Sequence, residues 1–341
     1  MARRALQLRG LVETVRSGRV PARTLAIADS RSLVRSMFLA SAARMELLPY
    51  LRGGREFSEI VGFTGSKRPE RLVAWLAVGV ELGELSLRRF RYDVRGQRAR
   101  ALAAGDQLLL AHYRSMLEYQ AGPYGQLETL LRSAGGRDDL ARYADDIAKV
   151  SLAATPFVAS FLRQIVADVH PEVVLDIGCG TGVYSKVILS ADMEVRVEGI
   201  DLADEVVAFA RAELERAGLG ARAQLHVGDV RTWAESAATS FDLVLLLNNI
   251  YYFEPAGRVA FYRDLGRLLT DRGQLLLVSM VAQGSVAAAH LHFMLTCQGS
   301  TAALPAPGEI ERDLAEAGYR VMDRQVLVPT EPFVGWRAER R

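Results

Sequence analysis

The chain has 341 residues, of which half are hydrophobic and 24% are charged, and its formal net charge is +2. Such a length allows two domains with sizeable cores, and a net charge this small does not suggest a protein that binds polyanions over its whole surface. Eight arginines and only two acids fall within residues 1–35. This basic arm is a solvated segment, a transit peptide or a membrane-surface patch.

Signals for membranes, export and metals are weak. No run approaches the roughly 18 apolar residues that a membrane span requires, and no hydrophobic secretory region follows the first arginines. Cys179 and Cys297 are far apart and outside any CxxC pair, which argues against a disulfide framework and a zinc site. We therefore expect a cytoplasmic protein with no membrane span and no metal site.

Helical periodicity dominates the chain up to about residue 170. One apolar stripe is formed by Leu33, Met37, Met45 and Leu48. Further along, Leu85–Leu87 and Phe90–Val94 are predicted as two short strands split by Arg88-Arg89. Helices followed by a two-stranded wing are typical of a winged-helix domain.

This region has family features as well. The stretch from Arg71 to Ala101, with Trp75, Gly79, Gly83-Glu84-Leu85 and Tyr92, resembles the N-terminal domain of bacterial and plant small-molecule O-methyltransferases. In that family the module pairs subunits and walls the substrate pocket. The resemblance implies a winged-helix-like cap over residues 1–105, a possible homodimer through it, and a helical linker over residues 106–154.

After Pro171 apolar strands alternate with helices, which predicts a mostly parallel, doubly wound sheet covered on both faces. The predicted strands are Val173–Ile177, Val195–Ile200, Ala223–Val227, Leu243–Leu247 and Leu275–Ser279, and a hairpin follows near Tyr319–Val328 and Phe333–Arg337. The fold class is therefore α/β, with a seven-stranded Rossmann-like sheet in a domain spanning residues 155–341.

The first of these strands ends in the motif Asp176-Ile177-Gly178-Cys179-Gly180-Thr181-Gly182. Glycines let the backbone turn sharply and approach a ligand at the edge where doubly wound sheets bind ligands. A dinucleotide fingerprint would require a small residue at position 183, where Val183 stands. Asp176 would also repel a pyrophosphate, whereas the cationic end of S-adenosylmethionine suits it better. We therefore predict that this loop binds S-adenosylmethionine.

Two further acids support this prediction. Asp201 ends the second strand, 19 residues beyond Gly182, close to the spacing of an acid that binds ribose hydroxyls. Asp229 follows the third strand. In the class I methyltransferases that this half of the chain resembles, an acid there accepts the adenine amino group and an apolar neighbour such as Val230 covers the ring.

The complete set of predicted cofactor-binding residues is Asp176, Gly178, Cys179, Gly180, Gly182, Asp201, Leu202, Asp229, Val230 and Asn248. In this set Cys179 is expected to pack rather than to react. Strand four continues as Asn248-Asn249-Ile250-Tyr251-Tyr252-Phe253. It resembles a family motif in which an Asn-containing turn precedes two histidines, but tyrosines stand at both histidine positions here.

The resemblance implies transfer of a methyl group from S-adenosylmethionine to an oxygen of a small, apolar acceptor. A carboxylate such as a fatty acid is slightly favoured, because it is already ionised and needs no base. A phenol or alcohol of natural-product metabolism is the alternative. Tyr251 and His290 are the candidate catalytic residues; His292 lies two residues beyond His290 and would point elsewhere on a helix.

A regulator that binds DNA and senses S-adenosylmethionine is the alternative of another class. Arginines that could face phosphates are Arg68, Arg71, Arg88, Arg89 and Arg91. The third predicted helix, which would have to read base edges in such a regulator, spans Leu72–Leu82. It holds mainly Leu, Val, Ala and Trp, and few of its side chains could read base edges. We therefore expect no nucleic-acid partner.

Overall fold

The computed structural model describes residues 20–139, 141–236, 239–299 and 302–341. The basic arm before residue 20 lies outside the described residues. The chain forms two compact units: residues up to Gln126 together with Arg142–Leu152, and Leu127–Ala141 together with Ala153–Arg341. The stretch that the sequence suggests as a linker is thus divided between the two units.

The first unit is mainly helical. Its helices are α1 (Val20–Arg44), α2 (Leu47–Tyr50), α3 (Phe57–Thr64), α4 (Pro69–Glu81), α5 (Gln97–Ala103), α6 (Gln107–Ser115), α7 (Ala121–Gly125) and, after a stretch assigned to the second unit, α9 (Ala144–Ser151). A π-helical turn, Met116–Gln120, joins α6 to α7. Three short strands, β1 (Arg55–Glu56), β2 (Leu85–Arg88) and β3 (Arg91–Val94), form a small antiparallel sheet in the order β1-β3-β2.

The predicted two-stranded hairpin is present, but its turn differs from the prediction. Arg89 and Phe90 form the turn, with φ of 48° and 63°. A two-residue hairpin turn favours positive φ at both positions because its twist then matches that of the strands. Phe90 is therefore outside the strand, and it is 89% exposed.

The prediction of which face of the first helix is buried is wrong. Leu33, Met37 and Met45 are exposed, whereas Phe38, Leu39 and Ala42 are buried. Helix α1 ends at Arg44, and Glu46 takes a left-handed conformation with φ of 53°. Because the chain turns there, Leu48 belongs to another helix and cannot share a face with Leu33.

The second unit is built on a seven-stranded sheet. Its strands are β4 (Val173–Ile177), β5 (Arg196–Asp201), β6 (Ala223–Val227), β7 (Phe241–Leu247), β8 (Leu269–Met280), β9 (Tyr319–Val326) and β10 (Phe333–Arg340). They lie in the order β6-β5-β4-β7-β8-β10-β9. The first five strands in this order are parallel to one another, and β10 is antiparallel to both β8 and β9. The fold class is therefore α/β and doubly wound, as predicted.

Helices cover both faces of this sheet. They are α10 (Thr155–Val169), α11 (Val183–Ala191), α12 (Asp204–Arg216), α13 (Val230–Ser236), α14 (Arg258–Arg267), α15 (Val286–Thr296) and α16 (Glu309–Glu316). A further short helix of this unit, α8 (Leu127–Arg132), has no buried residue. Residues 127–141 join this unit through a parallel bridge between Arg137 and Gln298.

One stretch of the described residues, Lys149–Val169, is long and apolar enough to cross a membrane by length and composition. The sequence did not predict such a stretch. Its apolar side chains Phe161, Leu162 and Ile165 are buried in the core beside the sheet. Burial of that kind is typical of a core helix.

A buried arginine holds together three segments of the second unit. Arg258 is 0% exposed. Its guanidinium donates to the Phe253 carbonyl at 3.2 Å, the Ala303 carbonyl at 2.9 Å and Glu309 Oε1 at 2.9 Å. A buried charge is tolerated when it is paired and hydrogen-bonded in this way. The interaction therefore fixes the loop after β7 against the start of α16.

We expect Arg258→Met to lower the free energy of unfolding of the second unit by about 3–5 kcal/mol, because Glu309 and two carbonyls lose their partner. Denaturant unfolding followed by tryptophan fluorescence measures this in a Trp75→Phe background, where the remaining tryptophans, Trp233 and Trp336, report on that unit.

The matched control is Arg263→Met on the same helix. Arg263 is half-exposed and contacts the Glu316 carbonyl, so its loss should cost less than about 1 kcal/mol. Equal losses in the two variants would contradict the role of Arg258.

Candidate cofactor site

A cleft of about 330 Å³ opens at the carboxyl ends of β4, β5, β6 and β7. It is lined by Ile177, Gly178, Ile200, Asp201, Leu202, Gly228, Asp229, Val230, Arg231, Asn249, Tyr252 and Phe253. The strand order reverses between β4 and β7, and doubly wound sheets bind ligands at such a point. Five predicted cofactor-binding residues are in this lining: Gly178, Asp201, Leu202, Asp229 and Val230.

The loop after β4 is closed onto β5 by backbone hydrogen bonds. The amides of Gly178 and Cys179 both donate to the Ile200 carbonyl, at 2.8 and 3.2 Å. Gly178 and Gly180 have φ of 66° and 54°, which glycine adopts without a steric penalty. A Cβ on Gly180 would meet nothing nearer than the Gly178 carbonyl at 3.9 Å. The backbone of this loop is therefore open to a ligand.

Asp201 and Asp229 provide two carboxylates to the cleft. Asp201 accepts hydrogen bonds from the amides of Gly180 (3.0 Å) and Ala203 (3.1 Å), so it also orients the glycine loop. Asp229 Oδ1 accepts from the Arg231 amide at 2.8 Å. Each oxygen of a carboxylate has a further lone pair for a ligand.

The apolar neighbours of these acids differ in exposure. Leu202 is 74% exposed and Val230 only 6%. Arg231, which the sequence reasoning missed, has its guanidinium 5.7 Å from the centre of the Phe253 ring. No local pattern marks Arg231, because a solvated arginine after a helix start is common.

Asp176 lies beneath the loop rather than in the cleft lining. It is buried, and Ser185 of α11 donates to its Oδ2 at 2.6 Å. Burial raises the pKa of Asp176 to about 6, the Ser185 hydrogen bond opposes this, and the charge of Asp201 adds to it. The structure thus gives this predicted site residue a contact with α11.

Cys179 and Gly182 also face away from the cleft. The Cys179 thiol is buried beside β5, 3.1 Å from where a Cβ on Gly199 would stand, and burial raises its pKa well above the usual range. A Cβ on Gly182 would stand 3.2 Å from the Cβ of Ala210. Their side-chain positions serve packing, and Cys179 is not a thiolate.

The two asparagines after β7 are placed differently from the prediction. Asn248, the predicted contact, has φ of 60°, and its backbone N–H donates to the Val278 carbonyl at 2.8 Å. Asn249 lines the cleft instead, and its Nδ2 donates to the Ile177 carbonyl. The sequence pattern cannot predict which of the two asparagines faces the cleft, because the left-handed backbone of Asn248 interrupts the alternation of side chains along the strand.

Three tyrosines, Tyr184, Tyr251 and Tyr252, lie near the end of β7, and Tyr252 lines the cleft. Tyr184 lies close to Thr155 and Asn248, and the Tyr251 and Tyr252 rings are 4.7 Å apart. Burial raises the pKa of all three phenols. At neutral pH these tyrosines are therefore hydrogen-bonding groups and not bases, including Tyr251, the candidate catalytic residue.

His290 and His292 lie on α15 on either side of Leu291. Leu291 packs in an apolar cluster with Tyr251, Leu295 and Leu304. Burial lowers the pKa of His290 below 6.5, so its imidazole is neutral at pH 7. The Nδ1 atom of His292 is buried and has no hydrogen-bond partner among the described residues.

The residues of the cleft fit S-adenosylmethionine better than a phosphorylated cofactor. Its lining holds two carboxylates and one arginine, so it favours a cation. The buried Oδ1 of Asn249 has no partner among the described residues and offers an acceptor to that cation. In the described parts of the chain, no group of three or more His, Cys, Asp or Glu side chains is placed to hold a metal ion.

Comparisons with known proteins agree with this fit. Residues 174–273 match a family model described as a methyltransferase domain. The tRNA1(Val) (adenine(37)-N6)-methyltransferase of Yersinia pestis (strain Pestoides F) is 31% identical over 88 residues, which cover 26% of this chain. The chain spans about a third of the length of that curated relative, 35%.

Solved structures match over nearly the whole chain. The mitomycin 7-O-methyltransferase MmcR has a TM-score of 0.78 at 16% identity and covers 95% of this chain and 99% of its own. PigF, solved with SAH, has a TM-score of 0.71 at 19% identity, covering 93% and 99%. The N,N-8-amino-8-demethyl-D-riboflavin dimethyltransferase RosA of Streptomyces davawensis has 0.71 at 18%, covering 94% and 99%.

Residues 174–273 therefore belong to a methyltransferase domain, and the chain has the class I methyltransferase fold, preceded by a helical N-terminal region. A methyltransferase domain supports S-adenosylmethionine as the cofactor, in agreement with the prediction from the loop motif.

The raised pKa of Asp176 predicts a pH-dependent effect of Asp176→Asn. The carboxyl ionises near pH 4 in the unfolded chain and near pH 6 in the folded one. The folded chain therefore binds this proton more tightly than the unfolded chain does. The resulting contribution to the free energy of unfolding is fully present below about pH 4 and is lost by about pH 6. The variant cannot ionise, so its stability relative to the natural chain should rise by about 2 kcal/mol between pH 4.5 and 7.

Denaturant unfolding of the second unit at both pH values measures this change. Asp271→Asn is the control, because that side chain is fully exposed. A relative stability of Asp176→Asn that does not vary with pH would contradict the buried position of the carboxyl.

Proposed function

We propose that this methyltransferase binds S-adenosylmethionine in the cleft at the ends of β4 to β7 and methylates a hydroxyl oxygen of a small, largely apolar molecule. The observation that carries the proposal is the juxtaposition in one cleft of the glycine loop, Asp201 and Asp229. Homodimerisation and the absence of a nucleic-acid partner stay predictions.

The strand order gives the cofactor a direction. Asp229 follows β6, Asp201 ends β5 and Gly178 follows β4, so these residues stand side by side along the sheet edge. In that arrangement Asp229 and Val230 hold the adenine, Asp201 accepts from the ribose hydroxyls, and the glycine loop with the start of α11 faces the amino-acid end. A helix-start loop of this kind suits a carboxylate.

The character of the acceptor follows from the residues beyond the amino-acid end. Tyr251 packs with Leu291, Leu295 and Leu304, and the polar groups near it are hydroxyls and amides. An apolar ring or chain that carries one hydroxyl fits such surroundings. MmcR is a 7-O-methyltransferase of mitomycin, which favours a hydroxyl over the carboxylate that the sequence slightly favoured.

His290 is the base that we assign to this reaction. Its lowered pKa keeps the imidazole neutral and able to accept a proton at pH 7. When bound, the cofactor supplies an electrophilic methyl group on a sulfonium. Tyr251 and Tyr252 would orient the acceptor hydroxyl toward the methyl group that a bound cofactor supplies, and His290 would take the hydroxyl proton.

Isothermal titration with S-adenosylmethionine tests the site. Asp201→Asn should weaken binding about 10- to 100-fold, the range for a hydrogen bond to a charged group. Asp204→Asn is the matched control, because it removes the same charge from an exposed residue outside the lining. Unchanged affinity in a folded Asp201→Asn variant would place the cofactor elsewhere.

A methyl-transfer screen with the full chain tests the acceptor class. Phenols, aliphatic alcohols, fatty acids, amines and tRNA are each incubated with S-adenosylmethionine, and methylated products are identified by mass. We expect phenols or other hydroxyl compounds to react. Turnover confined to fatty acids, amines or tRNA would contradict the hydroxyl proposal while leaving the methyltransferase activity intact.

The role of His290 predicts a pH profile. With a hydroxyl acceptor, kcat/KM should fall on the acid side with a midpoint below 6.5, because protonation removes the base. His290→Gln should lose about 10²–10⁴-fold in kcat and also the acid limb of the profile. His292→Gln, on the other side of Leu291, should keep both. A greater loss in His292→Gln would move the role to that residue.

A further inference from the structure

The amide of Asn249 spans the point where the strand order reverses. Its Nδ2 donates to the carbonyl of Ile177, the last residue of β4, while Asn249 itself follows β7. A Cβ on Gly178 would stand 2.6 Å from this Nδ2. Because glycine has no Cβ, the loop leaves room for the amide there.

This hydrogen bond determines which amide atom a ligand meets. A carbonyl oxygen only accepts hydrogen bonds, so the atom that faces Ile177 must be the NH₂ group. Oδ1 is therefore turned the other way. It is buried and has no partner among the described residues. A buried acceptor without a partner costs free energy unless a donor arrives.

The position of Asn249 in the cleft identifies that donor. Asp229, Asp201, Gly178 and Asn249 follow the neighbouring strands β6, β5, β4 and β7 in that order. With adenine at Asp229 and ribose at Asp201, the amino-acid end of the cofactor reaches Gly178 and Asn249. That end carries an ammonium group with three N–H donors.

We propose that Asn249 is a positioning residue whose Oδ1 accepts a hydrogen bond from the cofactor's ammonium while its Nδ2 keeps β4 and β7 in register. This inference rests on the proposed location of the cofactor. It assigns to Asn249 the contact that the sequence pattern attached to Asn248. Glycine is then required at position 178 for two reasons: the loop turns there, and a Cβ would occupy the space of the Asn249 side-chain amide.

The experiment compares two ligands that differ in one group: S-adenosylhomocysteine and its deamino analogue, in which hydrogen replaces the amino group. Binding is measured by titration calorimetry on the full chain. The natural chain should bind S-adenosylhomocysteine at least about tenfold more tightly than the analogue, since a hydrogen bond to a charged group contributes that much. In Asn249→Ala this advantage should fall below about threefold.

Asp229→Asn is the control, because it acts on the adenine that both ligands share and its hydrogen bond is to the Arg231 amide rather than to the glycine loop. It should weaken both ligands by a similar factor and leave the advantage of S-adenosylhomocysteine unchanged. If it does so while Asn249→Ala also keeps the advantage, the role of Asn249 is wrong and the cofactor site stands. If Asp229→Asn affects neither ligand, the proposed site itself is wrong.

A second variant and a measurement without variants guard against misfolding. Asn249→Leu keeps the number and branching of the side-chain heavy atoms, and it should lose the advantage as Asn249→Ala does. In the natural chain, equal affinities for the two ligands would overturn the proposal whatever the variants do.

Discussion

The end of strand β4 is the constraint on which the second unit depends. Strand β4 is paired on both sides, by β5 and by β7, and its chain must leave the sheet between them. The backbone groups that lose strand partners there find new ones: the amides of Gly178 and Cys179 bond to Ile200, and the Ile177 carbonyl accepts from Asn249. Buried backbone groups need such partners. Satisfying them leaves a cleft whose walls are fixed before any ligand arrives.

A second set of contacts keeps the opposite wall in place. Arg258 is buried and bonded to the Phe253 carbonyl, so the loop that carries Tyr252 and Phe253 cannot move away from α14 without breaking a buried hydrogen bond to a charged group. The same guanidinium contacts Glu309 of α16. A preorganised wall is useful to an enzyme that acts by orientation, because positional errors near 1 Å reduce rates substantially.

The sequence predicted the parts of the fold that follow from periodicity and spacing. Val173–Ile177 and Ala223–Val227 have the predicted bounds, because apolar runs between turn residues mark buried parallel strands. Asp201 was predicted from its distance to the loop. These signals are local, and tertiary structure does not alter them.

What could not be predicted depends on which way a side chain points. Cys179 and Gly182 belong to the loop motif, yet they pack against β5 and α12, because a motif specifies position but not face. Asn249 replaces Asn248 in the cleft since Asn248 takes a left-handed conformation. Arg258 carried no signal, because an arginine in a helix is exposed unless distant segments cover it.

The antiparallel end of the sheet has a consequence for how copies of the protein meet. Strand β9 has no strand on its outer side within the described sheet, and its backbone is a template for another strand. Along β9 the exposed side chains include Arg320 and Arg324, held beside Glu339 and Glu311. A second β9 aligned against the first would bring guanidinium groups opposite one another, which is unfavourable. The arginines thus oppose edge-to-edge growth along a strand that also exposes Met322 and Val326.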